Sequence, residues 1–183
     1  AQRSFKEGKH LRLGNVPSTY DISVKNNIFY NTTDYFLRYS NPADITKYKL
    51  DNNLYGGSYK IFAKSGNSTL YPTFSNFKSA SGQDAHSLMA DPLFDEGYKL
   101  MSNSPAIDKG AVLADIVDDI AGNPRPGGAG YDIGAYEYRF SNSFSYVFSG
   151  SGSWSNTSLW SSRVLPQEGV DVTIDGVCTL DSN

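Results

Sequence analysis

Val24-Lys25-Asn26-Asn27-Ile28-Phe29 and Leu50-Asp51-Asn52-Asn53-Leu54-Tyr55 are two copies of one pattern set 26 residues apart. Each reads apolar, charged, two asparagines, two apolar residues, and Tyr35-Phe36 and Ile61-Phe62 fall at matching offsets further along. A period in the twenties built from β-branched and aromatic residues belongs to a coil whose turns stack like side chains on like. The pattern therefore predicts a parallel β-solenoid, with short strands joined at Asn-Asn corners. Asparagine suits such a corner because it tolerates left-handed backbone angles and its amide can bond the Asn of the next turn. The competing reading makes each Asn-Asn a turn pair between antiparallel strands. The two differ in whether Asn27 lies over Asn53 and Asn26 over Asn52.

Composition agrees with a β-rich extracellular chain. Aromatics reach 14%, with Tyr (13) outnumbering Phe (10), while charged residues are only 19%. Tyr and Thr suit half-buried pleated surfaces, and Asn and Gly suit the turns between them. A net charge of -3 gives no basic patch for a nucleic-acid backbone, so nucleic acid is not an expected partner. One cysteine, Cys178, excludes an internal disulfide and a multi-cysteine zinc site, and it reads as an apolar thiol in a strand. His10 and His86 lie far apart without metalloprotease companions, so no metal site is expected from them. No run is long and apolar enough for a membrane span, and residues 1–7 lack the apolar core of a signal peptide. The chain opens in mid-pattern and is read as a fragment of something larger.

Residues 73–80 predict the one short helix, with Thr73 as N-cap, Phe74 and Phe77 on one face and Gly82 as its stop. Beyond Asp91, Pro, Gly and Asp replace the periodic rungs, as expected of a loop-rich polar cap over the last strands. Asp108, Arg125 and Asp132 take structural roles there. Arg125, between two prolines, is expected to fork onto a carboxylate such as Asp132 or Asp119, or onto backbone carbonyls.

The order NNIFYN, GQDAHS, DPLF, SPAIDKG, DIAGNPRP and YDIGAYEY resembles the C-terminal end of secreted right-handed parallel β-helix proteins of the pectate-lyase-like superfamily. The resemblance covers residues 20–138 and implies an all-β, right-handed parallel β-helix end in a secreted or bacterial surface protein. From Ser141 the composition turns Ser- and Gly-rich, then leads through Trp154 and Trp160 to an expected strand-turn-strand over 170–180. This division gives two domains, 1–140 and 141–183, the second resembling the opening rung of another surface-protein module.

No catalytic residue can be nominated. A uronate lyase needs a base and positive charge to hold an enolate, but no motif fits Lys25, Arg38, Lys47 or Lys49 to that task. Asp115, Asp118, Asp119, Asp132 and Glu137 lack the spacing of a calcium loop or a paired-carboxylate site, and read as turn caps. No cofactor is expected, and calcium has no supporting motif. The remaining candidates are tyrosines, whose rings stack on sugar faces: Tyr35, Tyr39, Tyr55 and Tyr59 are the expected polysaccharide-contacting set. The expected role is structural and adhesive, with polysaccharide contact, at the cell surface. The alternative is the C-terminal part of a polysaccharide lyase or glycoside hydrolase whose active site lies upstream.

Overall fold

The structure is a computed structural model describing residues 9–14, 17, 22–67, 69–139, 146–166 and 172–181. The chain divides into two compact units, Ala1–Arg139 and Phe140–Asn183. Residues 140–145 and 167–171, which include part of the Ser/Gly-rich stretch and Val170-Asp171, lie outside the described residues.

The first unit is a parallel β-helix. Its strands are β1 (Lys9–Leu13), β2 (Ile22–Lys25), β3 (Ile28–Tyr30), β4 (Tyr35–Tyr39), β5 (Tyr48–Asp51), β6 (Leu54–Gly56), β7 (Ile61–Ser65), β8 (Thr69–Tyr71) and β9 (Leu88–Met89), with helix α1 (Phe74–Ser81) between β8 and β9. Three sheets run along the coil, ordered β1-β4-β7-β8, β2-β5 and β3-β6-β9, and only the β7–β8 pair is antiparallel. Ile22 pairs with Tyr48, Ile28 with Leu54 and Tyr35 with Ile61, each one 26-residue turn apart.

The interior follows from that register. Phe29 stacks on Tyr55 at 5.1 Å between ring centres, and Phe36 meets Phe62 at 5.7 Å. Aromatic side chains on matching positions of successive turns thus form columns, each ring pair adding about 0.5–1.5 kcal/mol beyond the apolar area it buries. The Tyr39 column ends differently, because its partner one turn on is the small Ser65. There Phe77 of α1 takes over, stacking on Tyr39 at 6.1 Å. Helix α1 forms where the sequence predicts: Thr73 accepts a hydrogen bond from the Asn76 N–H, and Gly82 closes the helix at φ 66°. Its residues Phe74 and Phe77 both lie against Phe62.

The loop-rich segment 91–139 forms the expected cap, and it reaches further than the last strands. It runs back along the side of the coil and covers the outer face of β3-β6-β9, where Ile28, Leu54 and Leu88 pack with Leu100, Ala106 and Ile133. The physical reason is in the repeat itself. Both residues after each Asn-Asn are apolar, so this sheet is hydrophobic on both faces and must be covered on both.

In the second unit, β10 (Tyr146–Ser153) and β11 (Val172–Thr179) pair in parallel over their full length, again at a 26-residue offset. The expected strand-turn-strand is instead one continuous strand that runs through Gly176. Gly176 sits at φ 143° beside Gly150 at φ 101°, and a Cβ there would collide with the Gly150 carbonyl. Trp160 is buried edge-on against Phe148 and Trp154, and its indole N–H donates to the Trp154 carbonyl at 2.9 Å. Cys178 is a half-buried free thiol against this cluster.

Candidate functional site

The two asparagines of each corner do different work. Asn27 and Asn53 point inward and lie one over the other: the Asn27 backbone and side-chain N–H groups donate to Asn53 Oδ1 at 3.1 and 3.2 Å. The amide of buried Asn53 in turn donates to the Val24 carbonyl at 2.9 Å and to Asp84 Oδ1 at 3.3 Å. Asn26 and Asn52, at φ 57° and 51°, point outward and grip the side cover. Asn26 exchanges two hydrogen bonds with the backbone of Ala111 (2.8 and 2.7 Å), and Asn52 donates to the Lys109 carbonyl at 3.0 Å.

The third turn alters this column. Ser87 takes the ladder position and accepts from the Asn53 N–H at 2.8 Å, 34 residues on. Asp84 takes the place of the aliphatic Val24 and Leu50, and its buried carboxylate accepts from Ser87 Oγ (2.6 Å), Asn53 and the Tyr55 hydroxyl (3.2 Å). Burial raises the Asp84 carboxyl above its ordinary range against the pull of those hydrogen bonds. Burial, then the nearby Asp84 charge, likewise drives Tyr39 and Tyr55 upward. At the rim His86 chelates Asp51, its backbone N–H on Oδ1 and its ring Nδ1 against Oδ2, both at 2.7 Å. Partial burial pushes the Asp51 carboxyl up, but the bonds from His86 outweigh it and hold the group below the usual range.

The side cover has its own polar knot. Arg125 bonds to Glu137, and it also donates to the carbonyls of Gly134 (2.9 Å), Ala135 (3.1 Å) and Asp132 (3.4 Å). The carboxylate in the fork is thus Glu137; Asp132 contributes only its carbonyl to Arg125, while its carboxylate accepts from the Asp108 and Tyr138 N–H groups. Asp119 accepts from Ala121, Asn123 and Glu137 N–H groups. Burial would raise Asp119, yet the Asn123 side chain and these N–H donors bring it below its ordinary value. Asp108 in turn accepts from the Gly130 N–H at 2.7 Å.

Burial takes Tyr35, Tyr39 and Tyr55 out of the predicted sugar-stacking set. Tyr35, Tyr39 and Tyr55 are within the core, and half-buried Tyr59 packs against Phe36 and Phe62. In β4 the residues Tyr35, Phe36 and Leu37 are buried in succession, so this strand is covered on both faces. A different aromatic group reaches solvent. Tyr30, Phe94 and Tyr98 form a run of edge-to-face rings at 5.9 and 5.8 Å, with Tyr98 60% exposed at its end. Tyr98 sits at φ 60°, an uncommon region for a bulky side chain. Asp95 fixes that turn, its carboxylate accepting from Gly97 and Lys99 N–H groups, both at 2.8 Å. Of this group only Tyr30 belongs to the repeat; Phe94 and Tyr98 lie in the aperiodic cover, where pattern reading has no purchase.

A second surface feature is a cleft of about 370 Å3 between the first corner and the cover, lined by Lys25, Leu113, Ile116, Ile120, Tyr131 and Ala135 among others. No group of His, Cys, Asp and Glu among the described residues is arranged to hold a metal ion. No helix among them is long and apolar enough to cross a membrane.

Fold and site together define a parallel β-helix with a covered flank. Comparison with protein families, with curated proteins and with solved structures finds no match to this chain.

Proposed function

We propose that this chain is a non-catalytic, structural segment of an extracellular or cell-surface β-helix protein that contacts polysaccharide. The observation supporting it is how its buried ionisable groups are used. Asp84, Asp119, Asp132, Glu137 and Arg125 are each engaged by hydrogen bonds that hold turns or the side cover together. Groups so engaged are poor acids, bases or enolate holders, since substrate would have to displace structural bonds. Among the rung cations, Lys47 pairs with buried Asp44 at 2.9 Å and Arg38 bonds the Tyr35 hydroxyl at 3.3 Å. The likeness in motif order to the pectate-lyase-like superfamily, and a bacterial surface origin, belong to this proposal. So does the reading of β10 and β11 as the first turn of a further solenoid module.

The test is incubation with alginate, pectin and chondroitin while recording the absorbance of unsaturated products. No turnover is expected. Turnover abolished by substituting a rung cation would replace this reading with that of a lyase.

A further inference from the structure

We propose that Tyr30, Phe94 and Tyr98 form a stacking ledge for a neutral, equatorially hydroxylated glycan chain, such as a cello-oligosaccharide. This inference rests on the polysaccharide contact proposed above and supplies its location and ligand class. Three observations converge on it.

The first is exposure with support. Tyr98 is 60% exposed, yet its ring is not a loose surface group: Phe94 meets it edge-on at 5.8 Å, and Tyr30 backs Phe94 at 5.9 Å. A ring braced in this way gives a flat apolar face to a ligand with little further loss of side-chain freedom. The second is the backbone. A non-glycine residue at φ 60° costs free energy that only its surroundings can impose. Asp95 does so, closing the 95–99 turn through its backbone N–H to Lys99 (2.9 Å) and its carboxylate to Gly97 and Lys99. The turn holds an aromatic residue where glycine or asparagine would sit with less strain.

The third is charge, which selects the ligand. The segment carrying the ledge has three carboxylates, Asp91, Asp95 and Glu96, against one cation, Lys99, whose ammonium lies 5.7 Å over the Tyr136 ring. A polyuronate or sulfated chain would meet repulsion there. A gluco-configured neutral chain meets none: its axial C–H bonds give the sugar ring an apolar face to lie on the tyrosine, and its equatorial hydroxyls point sideways to the carboxylates and water.

Titration of the whole chain with cellohexaose and with hexameric oligogalacturonate, followed by calorimetry, tests this. Binding of cellohexaose and not of the uronate is expected. Tyr98→Gly should weaken it about tenfold or more while keeping the thermal midpoint at or above that of the wild type, since glycine relieves the left-handed strain. Tyr98→Phe should stay within about twofold of the wild type, because it keeps the stacking face. Equal binding by the wild type and Tyr98→Gly would remove the ledge but leave the glycan contact standing. Preference for the uronate would overturn the ligand class. No binding of either sugar at millimolar concentration would sink the ledge and the polysaccharide contact together, and self-association lost in Tyr98→Gly would assign the rings to a second copy instead.

Discussion

The two turns that carry the Asn-Asn corners and the turn after them are built from the same positions and close differently. The first two of these place an aliphatic residue at 24 and 50 and an inward asparagine at 27 and 53, one 26-residue repeat apart. The third turn lengthens the repeat to 34 residues, inserts α1, and substitutes Asp84 and Ser87 at those positions. Interior turns can be uniform because each is covered by the next, and uniformity lets rings and amides stack in register. The turn at 82–90 carries its own cover, a helix over the aromatic columns and a polar box closing the asparagine ladder.

The largest effect should come from breaking the helical cover. Phe77 is buried against Tyr39, Phe62 and Tyr71. Phe77→Ala should cost about 3–5 kcal/mol, the usual penalty for emptying an aromatic core site. Denaturant unfolding of the chain measures it. A loss below about 1 kcal/mol would mean that the third turn does not depend on α1.

Next comes the ladder. Asn53→Ala strands the Asn27 N–H groups and the Val24 carbonyl, and removes one donor from Asp84. A cost of about 2–3 kcal/mol is expected, since each buried group left unpaired costs roughly 1–3 kcal/mol. Asn27→Ala should cost less, because Asn27 is only half-buried and its loss strands fewer partners. Equal losses in parallel unfolding curves would contradict the inward ladder.

That contrast also marks what could be read from the residues alone. The coil, its period and the stacking of Asn27 on Asn53 were legible because a repeat states the same instruction twice, and the α1 caps were legible because capping chemistry is local. The reach of the cap along the earlier turns was not read, although its signal was present: Ile28-Phe29 and Leu54-Tyr55 are consecutive apolar pairs, which a strand with one wet face does not carry. Tyr35, Tyr39 and Tyr55 were misassigned because composition cannot tell an inward ring from an outward one in a strand whose phase is unknown. Arg125 found Glu137 rather than Asp132 or Asp119 because that pairing depends on how 125–137 folds back on itself, which no spacing encodes.

The polar box should show in the pH dependence. Asp84 is raised in the folded state, so its contribution is most favourable below the unfolded carboxylate pKa and is lost as pH rises through the folded value. Asp84→Asn keeps the side chain's shape and its tolerance of φ 58°, and removes the charge. The variant should therefore gain on the wild type as pH rises from about 3 to 7, by about 1.4 kcal/mol for each unit by which the carboxyl is raised. Unfolding free energies measured at several pH values decide this. A constant difference between the two proteins would show that Asp84 titrates as it does in the unfolded chain.

The smallest effect, and the opposite in sign, belongs to the rim of the same turn. Asp51 is held below its ordinary range by His86, so its contribution is present above the unfolded carboxylate pKa and lost as pH falls through the folded one. His86 is 73% exposed, and solvent screens most of the pairing. His86→Ala removes the ring contact but leaves the position-86 backbone N–H on Asp51 Oδ1, so the cost near pH 6 should stay below about 1 kcal/mol and shrink with salt. The contact between the second and third turns thus carries two carboxylates of opposite pH preference, Asp84 of the third favouring acid and Asp51 of the second opposing it. In His86→Ala the acid-side gain from Asp84 should stand out more clearly than in the wild type, and a stability profile between pH 3 and 6 unchanged by the substitution would place the clasp on the backbone bond alone.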